Sequence, residues 1–194
     1  NLQKAELRTL QAQITPHFIY NTLNSVSCMA LLHQENEISQ VLGSLTKVIR
    51  YNLKKPDAIV HLEEELENIY SWCRIQECCY EQSIRFSYDI QVPADQIKIP
   101  KLIIQPLIEN AIVHGANFAG EDARICLHIW MEGKCLYIVV WDNGTDVDTD
   151  RINRLACGKG EVCSDSLGVR NVYERIRLRY GSAGQMRFEQ DEEH

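Results

Sequence analysis

Pro106-Leu107-Ile108-Glu109-Asn110-Ala111-Ile112-Val113-His114-Gly115 is the stretch from which the rest of the chain is read. At about 100° per residue, Leu107, Ile108, Ala111 and Ile112 fall on one arc of a helix, and Glu109, Asn110 and His114 on the complementary arc. Gly115 supplies a stop, so a helix is expected from about Pro100 to His114. On either side the period changes from helical to alternating. Upstream, Ile84, Phe86, Tyr88 and Ile90 alternate as a half-buried strand. Downstream, Ile125, Leu127 and Ile129, then Leu136, Ile138 and Val140, give two more strands around a Glu132-Gly133-Lys134 turn.

Further out, Leu62, Leu66, Ile69 and Cys73 mark an amphipathic helix. Glu63, Glu64 and Glu65 fill its first turn, where acidic residues suit the helix dipole, and the run reads as a solvated helix start. A helix from about Val169 to Tyr180 turns Val172 and Ile176 inward, and Met186 and Phe188 suggest a last short strand. Residues 145–166 are polar and without period, a loop long enough to suggest function.

The first third is purely helical. Residues 1–32 read as one long helix with Leu7, Leu10 and Ile14 on one stripe and Ile19, Leu23, Val26 and Ala30 on a second, nearly opposite. The break falls at Pro16, which cannot donate to the carbonyl of Ala12 and should kink the helix. A second helix, from about Glu37 to Leu53, aligns Ile38, Val41, Leu42, Leu45, Val48 and Ile49. Two such helices cannot bury both faces alone, and pairing with a second copy into a four-helix bundle is the simple remedy. Pro56 and Asp57 close this unit. The fold class expected is therefore α+β: a long helical hairpin, half of a dimeric bundle, followed by an α/β sandwich, with the boundary near residues 56–60.

The 194 residues are 45% apolar and 24% charged, an ordinary globular balance. A net charge of −7 without a basic stripe argues against nucleic acid and anionic membrane surfaces as partners. No window approaches about 18 consecutive apolar residues, so no bilayer span is expected, and no signal peptide is expected either. The chain starts at Asn1 inside a helical pattern and reads as a piece of a longer protein. Its eight cysteines fall mostly within helix and strand patterns and lack zinc spacing, so free thiols in a reducing compartment are expected.

Three constellations carry chemistry. In Gln13-Ile14-Thr15-Pro16-His17-Phe18-Ile19-Tyr20-Asn21, His17 shares a wheel face with Asn21, Asn24 and Cys28, away from the apolar stripe. It is expected exposed, and a neutral imidazole is a competent nucleophile near pH 7. On the Glu109-Asn110 arc, acidic and amide oxygens suit Mg²⁺, and His114, one turn on, reaches toward phosphate oxygens. In Asp142-Asn143-Gly144, a carboxylate at a strand end can accept from an adenine amino group, and the glycine lets backbone approach a ligand. Leu167-Gly168-Val169-Arg170-Asn171-Val172 opens a helix behind a glycine, a ready phosphate site. Taken singly, each also reads as a surface histidine, a solvated helix face, a plain Asx turn or an ordinary helix start.

Together, in this order, they resemble the sensor histidine kinases of the LytS/YesM type over nearly the whole chain. Those carry a phosphoacceptor box of the PHFLYNTLxS form, matched by Pro16-His17-Phe18-Ile19-Tyr20-Asn21-Thr22-Leu23-Asn24-Ser25. Their PLxENAxxHG nucleotide box is matched by Pro106 to Gly115. Their DNGxG and GxGLxNVxxRL boxes are matched in part by Asp142-Asn143-Gly144 and by Leu167 to Ile176.

The resemblance implies a dimerisation and histidine-phosphotransfer hairpin over 1–56 and a GHKL (Bergerat) ATP-binding domain with a mixed sheet over 57–194. It implies His17 as phosphoacceptor, oriented by Asn21, and Asn110 as ligand of Mg²⁺-ATP with Glu109 as acid/base or water-orienting neighbour. His114, Gly168 and Asn171 would border the phosphates. Asp142 and Gly144 would hold adenine. Thr145 to Ser166, with Gly158-Lys159-Gly160, would form an ATP lid, Lys159 being its cation. ATP and Mg²⁺ are the implied cofactors. The implied partners are a second copy and an aspartate on a response-regulator receiver domain, and the implied setting is the cytoplasmic part of a membrane-anchored sensor.

Many histidine kinases of other types place an acidic base directly after the histidine. Here Phe18 stands there, and an amide such as Asn21 is no base. Asp146 replaces the second glycine of the third box and Ser166 the first glycine of the last. The sequence ends before the Gly-Thr-rich closing strand expected of the family. Asp146 and Ser166 support one alternative, a degenerate, non-catalytic dimeric module with weak or no ATP binding; a further alternative, an ATPase without a histidine acceptor, is opposed by His17 within its full box.

Overall fold

The computed structural model describes residues 16–55, 58–80, 83–115, 123–144, 149–156 and 167–190. Within these the chain is α+β with a mixed sheet, and it divides into two compact units, residues 1–55 and 56–194. Among the described residues no helix is long and apolar enough to cross a membrane.

In the first unit, α1 (Pro16–Leu32) and α2 (Asn36–Asn52) pack along one another. The turn between them is a Schellman stop: Glu35 N–H donates to Ala30 C=O at 2.9 Å and Gln34 N–H to Leu31 C=O at 3.0 Å. Gln34 holds the left-handed position at φ 61° that glycine usually fills. Near this closed end the helices meet through small hydroxyls, Ser27 Oγ and Ser39 Oγ being 2.8 Å apart. Two residues of the expected stripes are not buried in this contact. Val26 is 43% exposed and Ile38 51% exposed, while Ser39, Thr46 and Tyr51 are buried in their stead. The stripe of Leu7, Leu10 and Ile14, and the part of the long helix before Pro16, lie outside the described residues.

In the second unit, β1 (Ile59–His61) pairs antiparallel with β3 (Lys98–Pro100). β2 (Ile84–Ile90) runs parallel to β4 (Ala123–Glu132), which pairs antiparallel with β5 (Cys135–Asp142). Alternation decides the faces: Ala123, Ile125, Leu127 and Ile129 are buried, while Arg124, Cys126, His128 and Trp130 point the other way. Gly133, at φ 60°, makes the two-residue turn between β4 and β5. The inner face is covered by α3 (Leu62–Cys79), by α4 (Gln105–Asn110) with its π-helical extension Ala111–Gly115, and by α6 (Leu167–Tyr180). Leu66, Ile69, Ile108, Ile112 and Val172 meet Ile125, Leu127 and Ile129 in one core.

Four expectations need correction. The helix expected from Pro100 begins only at Gln105, because Lys98–Pro100 is taken by β1 and Leu102 sits at φ 57°. The acidic first turn of α3 is not wholly solvated, since Glu65 is fully buried. The span 145–166 holds a helix, α5 (Thr149–Ala156); its flanks 145–148 and 157–166 lie outside the described residues. Residues 184–190 form no strand. Instead Asn153 of α5 grips Phe188 by both backbone groups, donating from Nδ2 to its C=O at 2.8 Å and accepting its N–H at 2.7 Å.

Candidate functional site

His17 is the second residue of α1 and is exposed. Its Nδ1 lies 3.2 Å from Nδ2 of Asn21, one turn on. Two neighbouring hydroxyls bond back along the same helix: Thr22 Oγ1 donates to Phe18 C=O at 2.9 Å and Ser25 Oγ to Asn21 C=O at 2.8 Å. Asn24 and Cys28 are also exposed, so this polar face is continuous.

In the second unit, the placement of α4 starts from α3. The buried carboxylate of Glu65 accepts the N–H groups of Leu102 at 2.9 Å, Ile103 at 3.0 Å and Ile104 at 3.2 Å. Three successive backbone donors of the turn leading into α4, the last of them at its N-cap Ile104, are satisfied from a neighbouring helix. From the other side, Arg175 of α6 donates from Nη1 to the Lys101 C=O at 2.5 Å. The turn leading into α4 is thus clamped from two helices.

On α4 itself, Ile108 is buried, and Glu109 and Asn110 are half-buried on the polar arc. Gln105 donates from Nε2 to Glu109 Oε1 at 2.7 Å, and Asn68 of α3 donates from Nδ2 to Gln105 Oε1 at 2.8 Å. The helix then widens into the π turn Ala111–Gly115, a local geometry that recurs at functional sites. His114 and Gly115 belong to that turn; the side chain of His114 is outside the described atoms. The turn packs on β4 and on β5.

β5 ends in Asp142, across from Ile125. Asp142 Oδ1 accepts the Gly144 N–H at 3.0 Å, an Asx turn. Asn143 locks that turn to β4: its Oδ1 accepts the Arg124 N–H at 2.7 Å, and its own N–H donates to the Arg124 C=O at 3.2 Å. Burial pushes the Asp142 carboxyl above the ordinary aspartate range, and the Gly144 N–H brings it part of the way back.

Gly168 stands at the start of α6, where a Cβ would meet only Pro106 Cβ at 3.5 Å, an ordinary contact. Packing alone therefore does not require glycine there. Asn171, one turn on, is exposed. Lys159 and the two departures Asp146 and Ser166 lie outside the described residues.

Among the described residues no three His, Cys, Asp or Glu side chains cluster as a metal cage. The donor set present, one carboxylate and one amide oxygen on adjacent residues, fits a Mg²⁺ that takes its remaining ligands from phosphates and water. None of the six described cysteines is in a disulfide; Cys157 and Cys163 lie outside the described residues. Cys73 is no candidate nucleophile: burial pushes its thiol up to about 12, although a Tyr88 hydrogen bond opposes this.

Sequence reasoning misses Glu65, Asn68 and Gln105. Glu65 had a signal, because it lies three residues after Leu62 and four before Ile69, on the buried stripe itself. Gln105 is a polar island in Leu102-Ile103-Ile104-Gln105-Pro106-Leu107-Ile108. Asn68 carries no comparable sign.

Residues 5–84 match the family described as Histidine kinase. The chain is 33% identical over 192 residues to the Sensor histidine kinase YesM of Bacillus subtilis (strain 168), covering 99% of this chain and 32% of that protein. It is 34% identical over 179 residues to the Sensor histidine kinase YpdA of Escherichia coli (strain K12), covering 92% of this chain and 31% of the relative. To the Sensor protein LytS of Enterococcus faecalis (strain ATCC 700802 / V583) it is 29% identical over 188 residues, 94% of this chain and 31% of that protein. The chain spans about a third of the length of these curated relatives. The likeness to LytS- and YesM-type sensor histidine kinases read from the sequence is thus shown, across most of the chain.

Proposed function

We propose that this relative of the sensor histidine kinases is an ATP-dependent protein-histidine kinase core. In this reading residues 1–56 form the dimerisation and phosphotransfer hairpin, and residues 57–194 a GHKL-type ATP-binding domain. The observation that carries it is local. The π turn closing the Glu109-Asn110 helix rests on β5, the strand whose last residue is Asp142. That contact supports one nucleotide site built from both motifs.

Asp142 accepts from the adenine amino group, with Gly144 shaping the pocket floor. Asn110 and Glu109 hold Mg²⁺, which when bound neutralises phosphate charge. His114, Gly168, Asn171 and the lid residue Lys159 border the phosphates. In the transfer step an imidazole nitrogen of His17 forms a bond to the γ-phosphorus as the bond from that phosphorus to the bridging oxygen breaks. ADP leaves with the electron pair, and the ring sheds its remaining proton to water. Asn21 orients the ring. A receiver-domain aspartate then takes the phosphoryl group.

Dimerisation is supported by the apolar surface of the first unit: Phe18, Met29, Leu31, Leu32 and Ile38 are all more than half exposed, Leu32 at 83%. A second copy covers it as a four-helix bundle. The relatives' names say that they are sensors; the setting of this reading is the cytoplasmic part of a membrane-anchored one, as the motif resemblance implies.

Incubation with γ-labelled ATP tests the reading. Label on the chain that is acid-labile, alkali-stable and lost in His17→Gln is the expected result. Nucleotide binding without label indicates the degenerate module, and ATP hydrolysis without label an ATPase.

A further inference from the structure

Glu109 does not stand alone on its helix. Its Oε1 accepts from Gln105 Nε2 at 2.7 Å, and Gln105 Oε1 accepts from Asn68 Nδ2 at 2.8 Å. The relay has a fixed direction. A carboxylate can only accept, so Gln105 must turn its NH₂ toward Glu109. Its oxygen then faces Asn68, which must turn its own NH₂ toward Gln105. Asn68 and Gln105 are 3% and 7% exposed, so water does not compete for either bond. Asn68 Oδ1 is buried without a hydrogen-bond partner among the described residues. An amide half-satisfied in a core costs stability that an apolar residue of similar size would not. What it contributes is a rigid donor for Gln105.

We infer that Asn68 and Gln105 are positioning residues that hold the Glu109 carboxylate in one rotamer at the nucleotide; the inference rests on the kinase reading above. α3 is thereby coupled to the reacting end of α4 through side chains as well as through the Glu65 clamp. Holding a carboxylate still matters in the transition state more than in nucleotide binding, so turnover and affinity should respond differently.

The test is autophosphorylation of the full 194-residue chain. Gln105→Met keeps the volume and removes the donor; Asn68→Asp keeps the shape and replaces the relay's donor by an acceptor. Each should lower kcat by about 10- to 100-fold, the range for loss of an outer-shell support. The KM for ATP should stay within about twofold, since the groups that touch nucleotide remain. In a Glu109→Gln background, Gln105→Met should slow the reaction no further, because its effect passes through the carboxylate. Equal slowing in both backgrounds, or a full rate in Gln105→Met with the parent active, overturns the inference. Should Gln105→Met fail to fold by thermal melting, Asn68→Asp decides on the same terms. A parent chain that takes no label overturns the kinase reading, and the inference with it.

Discussion

Leu102 donates its backbone N–H to Oε2 of Glu65 at 2.9 Å while holding φ at 57°, a conformation leucine rarely adopts. A left-handed residue held by a buried carboxylate is how the chain leaves β3 and enters α4 within a few residues. The carboxylate also serves Ile103 and Ile104.

Glu65→Ala strips three N–H groups of their acceptor, those of Ile103 and Ile104 buried and that of Leu102 part-buried. Each buried donor left unsatisfied costs about 1–3 kcal/mol, so a loss of at least about 2 kcal/mol is expected for the second unit. All three tryptophans, Trp72, Trp130 and Trp141, lie in that unit, so their fluorescence in urea reports on it alone. Glu65→Gln should lose less, since one oxygen still accepts. An unchanged urea midpoint in Glu65→Ala would show that the clamp is idle.

Glu65 also marks where sequence legibility ends. β4 and β5 are readable because strict alternation in Ile125-Leu127-Ile129 and Leu136-Ile138-Val140 has one solution when a single face is buried. The helix at Glu109 is readable for the same reason at a period of 3.6. Its start is not, because Lys98–Pro100 is taken by a partner strand nearly 40 residues away, and no local period encodes that. The strand expected around Met186 and Phe188 fails likewise, since those backbone groups are met by a side chain, Asn153. Motif residues were legible as types in order. The polar residues that hold them, Asn68 and Gln105, are defined by distance in space.

Asp142 links stability to pH. Burial holds its carboxyl above the ordinary range, so the folded unit binds the proton more firmly than the unfolded chain does. The ionised form therefore costs stability, and that cost grows as pH rises through the folded value. Asp142→Asn should leave the second unit at least as stable as the parent at pH 8 and flatten this part of the pH dependence. Binding of a fluorescent ATP analogue should weaken by about tenfold, because a charge-assisted bond to the adenine amino group becomes a neutral one. A variant less stable than the parent at pH 8 contradicts the burial argument; one that binds as tightly contradicts the adenine assignment.

Gly168 separates packing from ligand approach. A Cβ there has room against Pro106, and alanine is the better helix former by about 1 kcal/mol in a helix interior, less at the first turn. Gly168→Ala should keep or slightly raise the urea midpoint while weakening nucleotide binding, since the added methyl stands where backbone meets phosphate. Unchanged affinity would remove Gly168 from the site.

The contact between His17 Nδ1 and Asn21 Nδ2 raises the question of which ring nitrogen reacts. A neutral imidazole carries one proton. With the amide NH₂ facing Nδ1, that nitrogen accepts and Nε2 holds the proton. After a half-turn of the amide, its oxygen accepts from Nδ1–H, and Nε2 presents its lone pair to solvent. Asn21 permits both states, whereas a carboxylate permits only the second. If Nε2 is the attacking nitrogen, Asn21→Asp should therefore label at least as fast as the parent at pH 8. Asn21→Leu removes the orienting group and should slow labelling by about tenfold, with ATP binding intact. Both residues are exposed, so the fold should tolerate either change. Rates taken by rapid quench with γ-labelled ATP decide the matter. An Asn21→Asp chain slower than the parent at pH 8 would point to Nδ1, not Nε2, as the attacking nitrogen.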